Sequence, residues 1–167
     1  MRLSELEKWG IPSRVIERWR QRQGERLLPV QTKAVRKGLI GRPGEGFNDR
    51  PVRLLVSAPT SSGKSFCAEL AAVKALTARE KTVMLFPLKS LTEQKYELLE
   101  KTYGELGVRC LIVTGDHPEN DSRFFDSDYQ IAVAIYEKFD LLLTSSLDAL
   151  KNIGLVVIDE LQMIAEP

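Results

Sequence analysis

Apolar positions along this chain change their period near residue 52. Upstream they recur at helical spacing. Downstream they gather into short continuous runs separated by amphipathic stretches. Residues 4–7, Ser-Glu-Leu-Glu, form a capping-box pattern that opens a short helix, with Gly10 placed to close it. Residues 13–23 predict a second helix, with Val15, Ile16 and Trp19 on one face and Gly24 as its stop. Pro29 suits the first turn of a third, reaching about Leu39. Residues 41–51 hold three glycines and two prolines and read as a loop. Strands are then predicted over 53–57, 82–86, 108–113, 130–134 and 155–159. Helices are predicted over 64–79, from a second capping box at Ser90 to about Tyr103, and across 136–151 with a break near Thr144 to Ser146. An acidic loop spans 115–128. Continuous apolar strands alternating with helices imply an α/β fold with a mainly parallel sheet covered on both faces, here preceded by an N-terminal helical segment.

Composition adds limits. At 167 residues the chain is long enough to bury a substantial core as one domain. No apolar run reaches the length of a membrane span. The opening Met1-Arg2-Leu3-Ser4 is polar rather than a secretory signal, so the expected location is cytoplasmic, or otherwise intracellular in a nucleoid or nucleus. Cys67 and Cys110 stand alone, without metal-ligand spacing, and read as reduced core thiols. Net charge is +1, but residues 1–42 carry 11 Lys and Arg against 4 Glu. That basic segment is either a nucleic-acid-facing surface or a solvated helical face.

The sharpest chemical signal is Ala58-Pro59-Thr60-Ser61-Ser62-Gly63-Lys64-Ser65, between a predicted strand and a predicted helix. A phosphate loop needs backbone N–H groups aimed at oxygens, a helix N-terminus that favours anions, and small residues that let the backbone approach. Thr60, Ser61, Ser62 and Gly63 meet the last need. Lys64 is placed to reach the β- and γ-phosphates of a nucleotide, and the Ser65 hydroxyl to coordinate Mg²⁺. Ala58 stands where the strict pattern has its first glycine. The second signal is Asp159-Glu160 at the end of an apolar strand, where a parallel sheet delivers residues to its ligand edge. Asp159 suits a metal contact and Glu160 a base for the attacking water. Together the two signals predict ATP hydrolysis with Mg²⁺.

These residues, in this order, resemble the first RecA-like domain of superfamily-two helicases, P-loop NTPases that act on nucleic acid. Ala58 to Ser65 looks like motif I and Asp159-Glu160-Leu161-Gln162 like motif II. Leu28-Pro29-Val30-Gln31 resembles the upstream adenine-reading element, which implies Gln31 against the base. Pro87-Leu88-Lys89-Ser90-Leu91 resembles motif Ia. Thr114-Gly115-Asp116, and Ile135 to Asp140 with its Glu137-Lys138 pair, resemble the motifs that follow. By this resemblance Pro87, Lys89, Ser90, Thr114, Gly115, Asp116, Glu137 and Lys138 contact a single strand of DNA or RNA, and Gln162 couples nucleotide state to domain closure. The pairing of Thr-Gly-Asp with Glu-Lys-x-Asp is most similar to the Ski-like branch, which includes exosome-type RNA helicases and archaeal repair helicases. Three departures stand out. Gln162 replaces the branch's usual His, Ile135-Tyr136 replaces a more usual Thr-Pro, and the insert at 41–51 is long.

The resemblance divides the chain into an N-terminal helical segment over 1–40, a Gly/Pro-rich loop over 41–51 and a RecA-like domain over 52–167, truncated after motif II. It implies a following Ser-Ala-Thr motif and a second RecA-like domain carrying arginine fingers, so the sequence is expected to be a piece or truncated copy of a longer helicase, poorly active alone. Without the strand after motif II, unpaired sheet edges are expected. Other readings are a translocase that never separates strands, an idle ATP-binding scaffold, and a P-loop ATPase acting on protein or metabolite.

Overall fold

The computed structural model describes residues 1–45, 53–151 and 153–165. Most of the predicted loop, residues 46–51, lies outside them. The chain divides into two compact units, Met1–Arg79 and Glu80–Pro167.

In the first unit a 3-10 helix over Leu3–Trp9 leads into α1 (Ser13–Gln23), α2 (Pro29–Arg36) and α3 (Lys64–Thr77). The first turn is capped differently from the reading above: Arg2 is the cap, and its N–H donates to Glu5 Oε1 at 2.6 Å, leaving Ser4 and Glu7 out of the box. Gly10 closes that turn at φ +78°. Helix α1 buries Val15, Ile16 and Trp19, and Gly24 stops it. Trp19 meets Phe66 of α3 edge to face at 5.0 Å, a pairing worth about 1 kcal/mol beyond its burial. Arg22 donates to Glu69 at 2.6 Å and lies over the Phe66 ring. The buried Lys74 ammonium donates to the carbonyls of Trp9 and Glu45, so a charge inside the unit is met by oxygen.

One expected strand is absent. Residues 53–59 have no regular structure, and Leu54 and Leu55 are exposed, Leu55 at 75%. An apolar run becomes a strand only with a ladder neighbour, and among the described residues none pairs with it.

The second unit is a four-stranded sheet of β1 (Lys81–Phe86), β2 (Cys110–Val113), β3 (Ile131–Ile135) and β4 (Ile153–Ile158), in the order β2-β3-β1-β4. Every pairing is parallel, with Val83 opposite Ala132 and Val156. Helices α4 (Lys89–Tyr103), α5 (Asn120–Phe125) and α6 (Tyr136–Ser145) flank it. One face of the sheet, including Val83, Leu85, Leu111 and Ala132, packs on Phe124, Tyr129, Phe139 and Leu142. Phe124 and Tyr129 stack at 5.2 Å. Ser90 lies inside the first turn of α4, whose cap position is Leu88. Helix α5 occupies part of the expected acidic loop, anchored by buried Phe124. The helix after β3 does break, after Ser145, before a 3-10 turn over Leu147–Leu150. Strands β1 to β3 are buried on both faces, as continuous apolar runs predict. Strand β4 is not: it alternates, and Val156 and Ile158 are each 43% exposed at the end of the strand order.

Candidate functional site

In the first unit the phosphate-loop candidate is a turn. Ser61 and Gly63 both take left-handed backbone, at φ +63° and +87°, on either side of Ser62. Alternating hands of this kind turn successive N–H groups toward a common centre, the geometry of an anion nest. Gly63 caps α3, so Lys64 and Ser65 occupy its first turn, where the helix dipole adds partial positive charge. Thr60, Ser61 and Ser65 are exposed, while the Ser62 hydroxyl is buried without a partner among the described residues. The Lys64 ammonium folds back and donates to the Ala58 carbonyl at 2.5 Å, closing the loop on itself.

Gln31 stands behind the loop rather than in solvent, only 1% exposed. Its Oε1 accepts from the Leu28 N–H at 2.8 Å, and its Nε2 donates to the Gly63 carbonyl at 3.1 Å. Both ends of the amide are thus committed to backbone. The expected base reader is bonded to the cap residue of the phosphate-loop helix.

In the second unit, parallel strands place four of the expected segments at one edge. Pro87 to Ser90 follow β1, Thr114 to Asp116 follow β2, Glu137 and Lys138 follow β3, and Asp159-Glu160 follow β4. The strand order fixes their sequence along the edge. Asp159 continues the ladder, its N–H donating to the Leu85 carbonyl at 3.0 Å. Its Oδ1 accepts from the Glu160 N–H at 3.1 Å. Glu160 takes φ +49°, rare for a residue with a side chain. Its carboxylate accepts a hydrogen bond from the Gln162 amide, and its carbonyl one from the Met163 N–H.

Two expected strand-contact residues meet each other: the Lys89 ammonium pairs with the Asp116 carboxylate. Lys138 pairs with Asp121 of α5 and is largely buried. Thr114 is fully buried, and its hydroxyl has no hydrogen-bond partner among the described residues. His117 sits with Glu119 at 3.2 Å on the half-exposed surface.

One contact was missed by sequence reasoning. The Tyr136 hydroxyl donates to the Asp159 carbonyl, tying the start of α6 to the acidic pair. Burial, reinforced by the charges of Asp159, Glu160 and Glu137, raises the pKa of its phenol, so it stays a donor at neutral pH. The available signal was a hydroxyl-bearing aromatic at the strand end, where the branch usually has proline.

The family described as DEAD/DEAH box helicase matches residues 28–167. The ATP-dependent DNA helicase Hel308 of Pyrococcus abyssi is 35% identical over 165 residues, which is 98% of this chain and 21% of that protein. Hel308 of Thermococcus kodakarensis is 36% identical over 160 residues, 95% of this chain and 13% of its own length. This chain therefore spans about a fifth or less of these curated relatives. Among solved structures, the DUF1998 helicase MrfA bound to DNA and AMPPNP superposes with a TM-score of 0.70 at 21% identity, covering 92% of this chain and 21% of that one. A hypothetical ATP-dependent RNA helicase from Sulfolobus tokodaii gives 0.68 at 20% identity, covering 91% and 42%. At such identities these two speak for the fold alone, and the fold they share is the RecA-like one.

Proposed function

This chain belongs to the DEAD/DEAH box helicase family, and on that premise we propose that it is the ATP-binding first RecA-like domain of a Ski-like nucleic-acid helicase. In this reading the intact protein couples ATP hydrolysis to translocation on a single strand once a second RecA-like domain closes on the nucleotide. The observation that carries the proposal is the parallel sheet edge that gathers Pro87–Ser90, Thr114–Asp116, Glu137–Lys138 and Asp159–Glu160. Ligands of open α/β sheets bind outside the carboxyl ends of the strands. An ATPase acting on a metabolite has no use for the segments after β2 and β3.

The roles follow from chemistry. The N–H groups of Thr60 to Gly63 cradle phosphate oxygens, and Lys64 exchanges the Ala58 carbonyl for the β- and γ-phosphates. Gln31 reads the base by exchanging one of the two bonds that hold its amide. Ser65 and Asp159 are the oxygen donors assigned to Mg²⁺. Mg²⁺ keeps several waters and binds through one or two protein oxygens plus substrate phosphates. When bound, the ion neutralises phosphate charge. Glu160 accepts the proton of the attacking water, and Gln162 holds its carboxylate in place. Lys89, Ser90 and the helix start after Pro87 grip backbone phosphate without reading sequence, with Gly115, Asp116, Glu137 and Lys138 beside them on the strand path; Thr114, fully buried, is no surface contact here.

Calorimetry with a non-hydrolysable ATP analogue and Mg²⁺ tests the nucleotide site. The wild-type chain binds and Lys64→Ala does not; equal affinities would remove the phosphate-loop assignment. Arginine fingers of a second domain are worth about 10³–10⁵ in rate, so turnover by this chain alone is expected to be slow. Brisk turnover stimulated by nucleic acid would refute the two-domain requirement.

A further inference from the structure

We propose that the outward face of α2 is a second contact for the strand, a basic groove that holds the sugar-phosphate backbone of single-stranded nucleic acid. The proposal rests on the nucleic-acid reading above and adds to it three cations that belong to none of the motifs. Helix α2 has two opposed faces. Gln31, Ala34 and Val35 are buried, while Lys33, Arg36 and Lys37 lie outward and exposed. At 100° per residue the outward stripe is centred about opposite Gln31.

The stripe borders a groove of about 500 Å³ whose remaining lining is Leu27, Pro29, Thr32 and Met1. Backbone pairing fixes its far wall: the Leu27 N–H donates to the Met1 carbonyl at 3.0 Å, and the Leu3 N–H to the Glu25 carbonyl at 2.9 Å. Arg2 and Arg26 face each other across that pairing, both exposed. Leu27, 6% exposed, and Pro29 supply an apolar floor, and Thr32 a hydroxyl.

Among the described residues no acidic side chain lines the groove. Among the described residues no carboxylate pairs with Lys33, Arg36 or Lys37, whereas Arg20 and Arg22 of α1 are each held by glutamate. The three outward cations are spaced i, i+3 and i+4, so they repel one another. Last-turn cations also favour a helix C-terminus; an open groove rimmed by three of them, with no carboxylate among its described lining residues, suits a backbone track.

Fluorescence anisotropy of the intact chain with labelled single-stranded DNA, titrated with salt, tests the assignment. The exposed triple variant K33E/R36E/K37E is expected to weaken binding at least tenfold. It is also expected to flatten the slope of log affinity against log salt by about 2, since each single-strand phosphate contact contributes about 0.7. Arg14→Glu, equally exposed on α1, is expected to leave that slope in place. If circular dichroism shows the triple variant misfolded, Lys33→Ala and Lys37→Ala are each expected to remove about 0.7 of slope. Unchanged affinity and slope in these variants, with binding lost in Lys89→Ala, would overturn the groove and leave the helicase reading standing. A wild-type chain that binds no DNA would overturn both.

Discussion

Gly63 holds a left-handed turn with no room for a side chain. A Cβ there would lie 2.6 Å from Gln31 Nε2 and 2.6 Å from Leu28 Cδ1, at φ +87°. Gly63→Ala therefore combines backbone strain of about 1–2 kcal/mol with displacement of Gln31, and urea unfolding is expected to register at least that loss. Joined to a second RecA-like domain, the Glu160→Gln variant is expected to keep ATP affinity and stop hydrolysis; continued phosphate release would remove the base role. The thiols make a third case. Burial pushes Cys67 up to about 11 and Cys110, with Glu100 beside it, up to about 12, from an ordinary 9.0. Because the folded values are raised, the stability these neutral thiols supply is intact below pH 9.0 and declines as pH climbs toward 11. A disulfide reagent at pH 8 is expected to label neither cysteine until denaturant is added; fast native labelling would contradict their burial. At this scale the helix start after Gly63 and the strand end before Asp159 were legible because their neighbours in sequence define them. The bond from Gln31 to Gly63 and the partners of Lys89 and Tyr136 come from distant segments and left no local trace.

Elements were legible where burial is local in sequence. Val15, Ile16 and Trp19 mark the inner face of α1 by their spacing, and Gly24 marks its end. That face is also where α1 is most vulnerable. Trp19 is fully buried against Phe66, so Trp19→Ala is expected to cost about 3–5 kcal/mol in urea unfolding; a loss under 1 kcal/mol would deny that the ring anchors the helix. Residues 53–57 show the opposite case: their pattern is strand-like, but a strand is a relation between two segments, and among the described residues no second segment pairs with them. Helix α5 escaped notice because its six residues bury a single side chain, Phe124, too few for any period. The Ser90 pattern misled for a related reason. A serine three residues before a glutamate can sit one step inside a helix as readily as at its cap, and the fold set the cap at Leu88.

For the whole molecule, charge and edges govern behaviour in solution. The near-zero total conceals a basic segment over 1–42 and an acidic remainder with 13 Lys and Arg against 19 Asp and Glu. Among the described residues no strand pairs with the outer edge of β4, where Val156 and Ile158 are exposed, followed by exposed Leu161 and Met163. Exposed apolar edge strands recruit other chains, so sedimentation velocity is expected to show concentration-dependent self-association that Val156→Lys reduces. Equal association by both proteins would place the contact elsewhere. The register of β1 carries a different consequence. Thr82 waits for Ile131 on one side and Leu155 on the other, so β1 can close neither ladder until at least residues 131–135 have left the ribosome. Such non-local closure is slow, and meanwhile nascent copies in a crowded polysome are rivals for the same bare backbone. Refolding yield should fall as protein is added, and a chaperone that isolates single chains should restore it.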